Sequence, residues 1–406
     1  MKRRTYIIWL IVLLLVTNAL TYGLVTGQVP FLSAYIQPKV GLGSLGSADA
    51  DKLSRVLRLL QQYYVDKVDV NQLMEGAVAG MVKSLNDPPS YYMTKSDWDE
   101  FMIHTSGQYA GVGMQIQEQK VGNTSYVTVV RVYPGTPAEK AGLVKNDRIM
   151  KVDGKDVVGQ SSEQVAQVVR GAEGSSVELE IYRDGWDANK SFKMTRAQIV
   201  IPTVSYKKLE NDTIGYLQLS GFDQHSAADM AKAMDQLKGI KGLVLDLRDN
   251  PGGLLDAAVE IAKNFVPTGP VVSVVDRDGN KKTTTITSDG IKIPMVVLVN
   301  EYSASASEIL AGAIQDAGTG VLVGTKTYGK GSVQRLFPLP GGTGVKFTTE
   351  RWLTRNGRQI DHKSLMPDIE SVLPELKPGE KPLELDDSKN PQLIKAIEVL
   401  KGLMKK

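Results

Sequence analysis

Cysteine is absent from all 406 residues, which removes disulfides, thiolate zinc sites and cysteine nucleophiles together. Histidine is nearly absent. His104, His225 and His362 stand far apart and never form a His-Glu-x-x-His spacing, so a histidine-rich metal site is not expected; no cofactor of another kind is expected either. An excess of one charge is lacking too: 48 Lys+Arg face 45 Asp+Glu, and Lys2, Arg3 and Arg4 alone account for the net +3. The rest of the chain is formally neutral and has no basic stripe, so no nucleic-acid partner is expected. With 42% hydrophobic and 23% charged residues the bulk reads as globular rather than disordered or multi-span, and its length predicts two or three domains at roughly 150 residues each.

One long apolar run is present, from Tyr6 to about Val25 behind the Lys2-Arg3-Arg4 cluster. About 20 apolar residues span a bilayer, and the preceding charges favour a cytoplasmic N-terminus. Residues 1–27 are therefore expected to be an N-terminal membrane anchor or signal segment, with no Ala-x-Ala cleavage site after it. The expected localisation is the cell membrane, single-pass, with the body extracytoplasmic. Residues 28–48 read as a linker, rich in Gly and Ser from Gly41 to Ser47.

Leu53, Val56, Leu57, Leu60 and Tyr64 fall on one helical face, and two further helices are expected at Asn71–Leu85 and Lys95–Ile103. This small cap, 49–106, is too short to bury much core alone and reads as a packing or dimerisation element. From Gly111 to Arg183 strand patterns dominate, with short helices at Pro137–Ala141 and Ser162–Arg170. From Ile214 strands alternate with helices, which implies right-handed crossovers onto a largely parallel sheet. Sites in such sheets lie where strands run into helices at their carboxyl ends. At the C-terminus Asn390 can cap a helix that has Pro391 at its first position.

Three loops could carry chemistry. The first, Arg248-Asp249-Asn250-Pro251-Gly252-Gly253, reads either as a plain turn or as backbone N–H groups facing a crevice. The second contains Ser303, Ser305 and Ser307 at the start of a helix, where free N–H groups and the helix dipole stabilise an oxyanion; capping is the simpler reading. The third is Tyr328-Gly329-Lys330-Gly331-Ser332. A serine needs a base, and with histidine scarce the available one is lysine, whose amine burial can keep neutral near pH 7. The stretch from Gly324 to Lys330 imitates a phosphate loop, but Gly331 stands where the Mg²⁺-binding Ser or Thr is required, and a strand rather than a helix follows.

Taken in order, these three motifs resemble those of the carboxyl-terminal processing, or tail-specific, serine proteases. The resemblance implies a multidomain α+β and α/β fold: the helical cap, a PDZ domain over 107–190, a protease core over 191–383 with a mixed, largely parallel sheet, and a C-terminal helix over 384–406. It implies Ser305 as nucleophile, Lys330 as general base and Gln334 as the residue orienting the lysine, with the N–H groups of Gly252 and Ala306 forming the oxyanion hole. Gly111, Val112, Gly113 and Met114 match the carboxylate-binding loop of a PDZ domain, beside which a peptide adds as a strand. The implied function is a serine endopeptidase whose partners are proteins or peptides with exposed C-terminal tails. A homodimer and a membrane partnership through the N-terminal segment are also expected. Two alternatives are a non-catalytic PDZ scaffold and a serine hydrolase using His225 as base. Arg170, ending the Ser162 helix, reads as a solvated cation rather than a bridge to the core.

Overall fold

The computed structural model describes residues 47–372 and 387–405. The described residues fall into two units, one ending at Val78 and the other beginning at Ala79. In the first, the helix Ser47–Tyr63 carries the expected apolar stripe, but Leu53, Val56 and Tyr64 remain exposed. Helix Val70–Lys83 leads from it into the second unit and has no buried residue.

The expected anchor or signal segment, 1–27, lies outside the described residues. Among the described residues no helix is long and apolar enough to cross a membrane. The longest of them, Ser47–Tyr63, has 17 residues and carries Asp49, Asp51, Lys52, Arg55 and Arg58, short of the ~20 apolar residues a bilayer demands. The expected single-pass, cell-membrane localisation with an extracytoplasmic body is corrected accordingly: no described element supplies a span, and the membrane partnership goes with it.

In the second unit a six-stranded sheet runs in the order Val204–Leu209, Ile214–Leu219, Gly242–Asp246, Met295–Val299, Val321–Gly324, Ile369–Glu370. The first pair is antiparallel and the rest are parallel, so the sheet is mixed and largely parallel. Met295 to Val299 is an unbroken apolar run because both faces are covered, as a parallel sheet requires. Alternate residues serve the two faces. Leu217, Leu245, Val297 and Leu322 pack with Met230, Ile261 and Leu310 of the crossover helices Ser226–Gln236, Leu255–Ala262 and Ala306–Ala317. Tyr216, Val244, Val296 and Leu298 pack with Leu393, Ala396 and Leu400 of the helix Pro391–Leu403. Asn390 caps that last helix, its side-chain oxygen accepting from the Leu393 N–H at 3.1 Å.

A second, antiparallel sheet stands beside the first. It consists of Tyr91–Met93, Pro267–Asp276, Lys281–Asp289, Ser332–Pro338 and Gly344–Leu353. In sequence between the helical segment and this core comes a small β-domain whose strands run in the order Met114–Val121, Thr124–Val132, Arg148–Val152, Ser176–Tyr182, Lys190–Thr195. Met114–Val121 is an edge strand, and the helix Ser162–Val169 packs beside it.

Candidate active site

The crossover topology brings the three loops to the carboxyl ends of neighbouring strands. Strand Met295–Val299 runs through Asn300 to Ser303 into the helix Ala306–Ala317. The hydroxyl of Ser303 donates to the Leu247 carbonyl at 2.8 Å, and that of Ser307 donates to the Asn250 carbonyl at 2.8 Å. Both serines are fully buried and hold the second loop to the first. Ser305 differs. It is only half-buried, and its backbone adopts φ 55°, ψ −114°, a strained conformation for a residue with a side chain.

Gly252, at φ 99°, lies against this turn. A Cβ there would meet the Ala304 carbonyl oxygen at 2.6 Å, the Ala306 nitrogen at 2.9 Å and the Ser305 Cβ at 2.9 Å, so only glycine allows the first loop to approach so closely. The two expected oxyanion donors are thus neighbours. They are not equivalent: the Gly252 N–H donates to Asn250 Oδ1 at 2.9 Å, whereas the Ala306 N–H, first in its helix, has no acceptor among the described residues.

The third loop is tied to the second by Glu308, a residue the sequence reading left without a role. Its fully buried carboxylate accepts from the Ser305 and Lys330 N–H groups on one oxygen, at 2.9 Å each. On the other oxygen it accepts from the Gly329 N–H at 2.7 Å and the Thr327 hydroxyl at 2.6 Å. A glutamate three residues after a helix N-cap signals a capping box, but sequence does not show that the same carboxylate will collect a strand end 22 residues away. Gly331 fits because a Cβ would lie 2.4 Å from the Asp361 nitrogen.

The Lys330 side chain lines a cleft of about 1000 Å³ together with Asp87, Asp249, Ala304, Tyr328, Ser332 and Thr348. Its ammonium makes no hydrogen bond or ion pair with the described residues. Burial is the main force holding its pKa below the usual lysine value. The nearby Lys346 charge acts the same way, and Glu308 and Asp87 oppose it. Lys346 is itself pushed down by burial and lies 4.5 Å from the Tyr91 ring centre. Gln334, on strand Ser332–Pro338, donates to the Ser332 hydroxyl at 2.8 Å and the Thr348 hydroxyl at 3.2 Å, and makes no hydrogen bond to Lys330. Thr348 in turn donates to Asp87 at 2.6 Å.

Behind the first loop, Arg248 is completely buried and pairs with Asp246 at 2.6 Å. It also donates to Asn390 at 3.1 Å and Gln392 at 2.9 Å, so the C-terminal helix is anchored at the back of the site. His225 lies before the helix Ser226–Gln236, with its Nε2 buried and unpartnered among the described residues. It is not among the residues lining the Lys330 cleft.

Gly111, Val112, Gly113 and Met114 lie where the β-domain begins. Val112 and Met114 line a groove of about 400 Å³ with Ile116, Tyr133, Ala166 and Val169. Arg170 also borders this groove. It is paired with Glu100 of the helix Lys95–Ser106, not free in solvent.

The sequence pattern of peptidase family S41 matches residues 213–371, that of a PDZ domain 128–183, and that of the activating protease CtpB N-terminal domain 35–97. The carboxy-terminal processing protease CtpB of Bacillus subtilis is 38% identical over 87% of this chain and 75% of its own length. A protein of Staphylococcus haemolyticus, named as a CtpA-like serine protease, is 33% identical over 98% of this chain and 80% of its own. A solved structure described as an S41 protease from Bacteroides fragilis has the same fold, with a TM-score of 0.54 and 19% identity over 86% of this chain and 97% of its own.

Proposed function

The chain belongs to the carboxy-terminal processing serine proteases of peptidase family S41, and from that membership we propose that it captures exposed C-terminal tails on its PDZ domain and cleaves them by a Ser-Lys mechanism. The observation that carries the reading is the single Glu308 oxygen shared by the Ser305 and Lys330 N–H groups, which fixes the two loops together.

In this mechanism the uncharged Lys330 amine removes the Ser305 hydroxyl proton as Oγ attacks the scissile carbonyl. The oxyanion forms at the helix start, where the Ala306 N–H is available. Gly252 would contribute its N–H once Asn250 releases it. As the tetrahedral intermediate collapses, the C–N bond breaks and the lysine proton passes to the leaving amine, which departs with the tail. Water, deprotonated by the same amine, then attacks the ester; as the acyl C–O bond breaks, the lysine returns that proton to Oγ, freeing Ser305 and the new carboxyl terminus. Gln334 orders the Ser332–Thr348 side of the cleft and so steers the lysine from its flank. The Val112-Gly113-Met114 loop receives the terminal carboxylate while the peptide pairs with the free edge of Met114–Val121.

The experiment is digestion of an unstructured, tailed peptide with product masses read out. Ser305→Ala and Lys330→Ala should each abolish cleavage while the circular dichroism spectrum stays native. Activity retained by Lys330→Ala would reject the lysine base, and His225→Gln should be nearly silent.

A further inference from the structure

The tail-binding groove contains a proton donor that the loop Gly111 to Met114 does not account for. Tyr109, on the short strand Gln108–Gly111, lays its ring against Gly111, where a Cβ would come within 2.4 Å of the ring carbon Cε2. Its hydroxyl reaches the Met114 carbonyl at 3.5 Å, the outer limit of a hydrogen bond. The Arg170 guanidinium stands 5.3 Å over the ring centre, and Tyr109, Met114 and Arg170 all border the same groove. Burial, followed by the neighbouring Tyr133, pushes the phenol up to about 12, while Arg170 and the Met114 and Gly113 N–H groups pull the other way. The hydroxyl therefore keeps its proton at any working pH and acts as a donor. The Val112 N–H beside it has no acceptor among the described residues. Donors crowd this end of the groove, and the acceptor nearest the phenol is a poorly placed carbonyl.

We propose that Tyr109 is a recognition residue for the terminal carboxylate of the tail. The carboxylate lies between the loop N–H groups and the phenol. The hydroxyl turns its proton from the Met114 carbonyl to a carboxylate oxygen, with no movement of the ring. The Met114 carbonyl is thereby released to accept the backbone N–H of the strand that adds beside it. This rests on the tail-capture reading given above and adds one residue to it.

The test is a cycle of two peptides and two proteins, measured by fluorescence anisotropy in full-length chain carrying Ser305→Ala so that nothing is cut. One peptide ends in a free carboxylate and the other, otherwise identical, in an amide. The unmodified groove should bind the acid more tightly than the amide. Tyr109→Phe should lose about tenfold in affinity for the acid, the size of a hydrogen bond to a charged group, and leave the amide unchanged. An equal loss for both peptides would mean that the residue only packs, and no loss for either would mean that the hydroxyl is idle; each overturns the proposal. If Tyr109 is intact and the acid and amide still bind alike, the tail-capture reading itself falls, and the assignment of Tyr109 falls with it.

Discussion

At the scale of single residues, the proposed mechanism depends on one carboxylate and two lysines. Glu308 has four donors on its two oxygens, and each donor left unpaired by its loss costs about 1–3 kcal/mol. Glu308→Ala should therefore lower the melting temperature by several degrees and cut kcat/KM by at least a hundredfold, since Ser305 and Lys330 lose their common acceptor. The pH dependence follows from the lowered pKa of Lys330. In the proposed mechanism the neutral amine is the working form, so activity should be present above that pKa and fall as pH drops through it. Lys346 adds to the lowering. Lys346→Met should raise the Lys330 pKa and move the acid limb of kcat/KM to higher pH. A limb that stays in place would separate the two lysines. Lys330 between its glycines and the serine cluster from Ser303 to Ser307 could be singled out in the sequence as candidates, but the choice of Ser305 among the three serines, and of Gly252 as an oxyanion donor, comes from the family resemblance rather than from the residues themselves. The role of Glu308 could not be singled out, since it depends on residues meeting across 22 positions.

At the scale of elements, the three loops meet because strand ends set their separation and glycine lets them touch. Gly252→Ala should be inactive even if it folds, because the new methyl meets the Ala304 carbonyl and the Ala306 nitrogen. A melting curve and a peptide assay on the same sample would show the two effects separately. Crossover helices and core strands were legible from their apolar periods. The hairpin Pro267–Asp276 and Lys281–Asp289 was not, since its second strand is a polar run of threonines and lysines with little alternation. Arg170 is similar: a cation at a helix end looks solvated until the helix Lys95–Ser106 supplies Glu100, 70 positions away.

At the scale of the molecule, the core sheet is closed on one face by crossover helices and on the other by the helix Pro391–Leu403. Leu400 is fully buried against that second face. Leu400→Ala should cost about 2–5 kcal/mol in a denaturant titration. Arg248 links the same helix start to the loop carrying Gly252. The family membership, the PDZ domain and the mixed sheet all agree with the sequence reading, which rested on three short motifs in order. The membrane span did not carry over, because hydropathy in one terminal run says nothing about the described helices, which are short and charged.

The central claim is that an uncharged Lys330 activates Ser305. The most direct measurement is the rate at which a fluorophosphonate labels the protein across pH, with the modified residue identified by mass spectrometry. The label should map to Ser305, its rate should rise with pH through the lowered lysine pKa, and Lys330→Met should slow it by about 10²- to 10⁴-fold and flatten the profile. Labelling of a different residue, or an unchanged rate and profile in Lys330→Met, would contradict the mechanism.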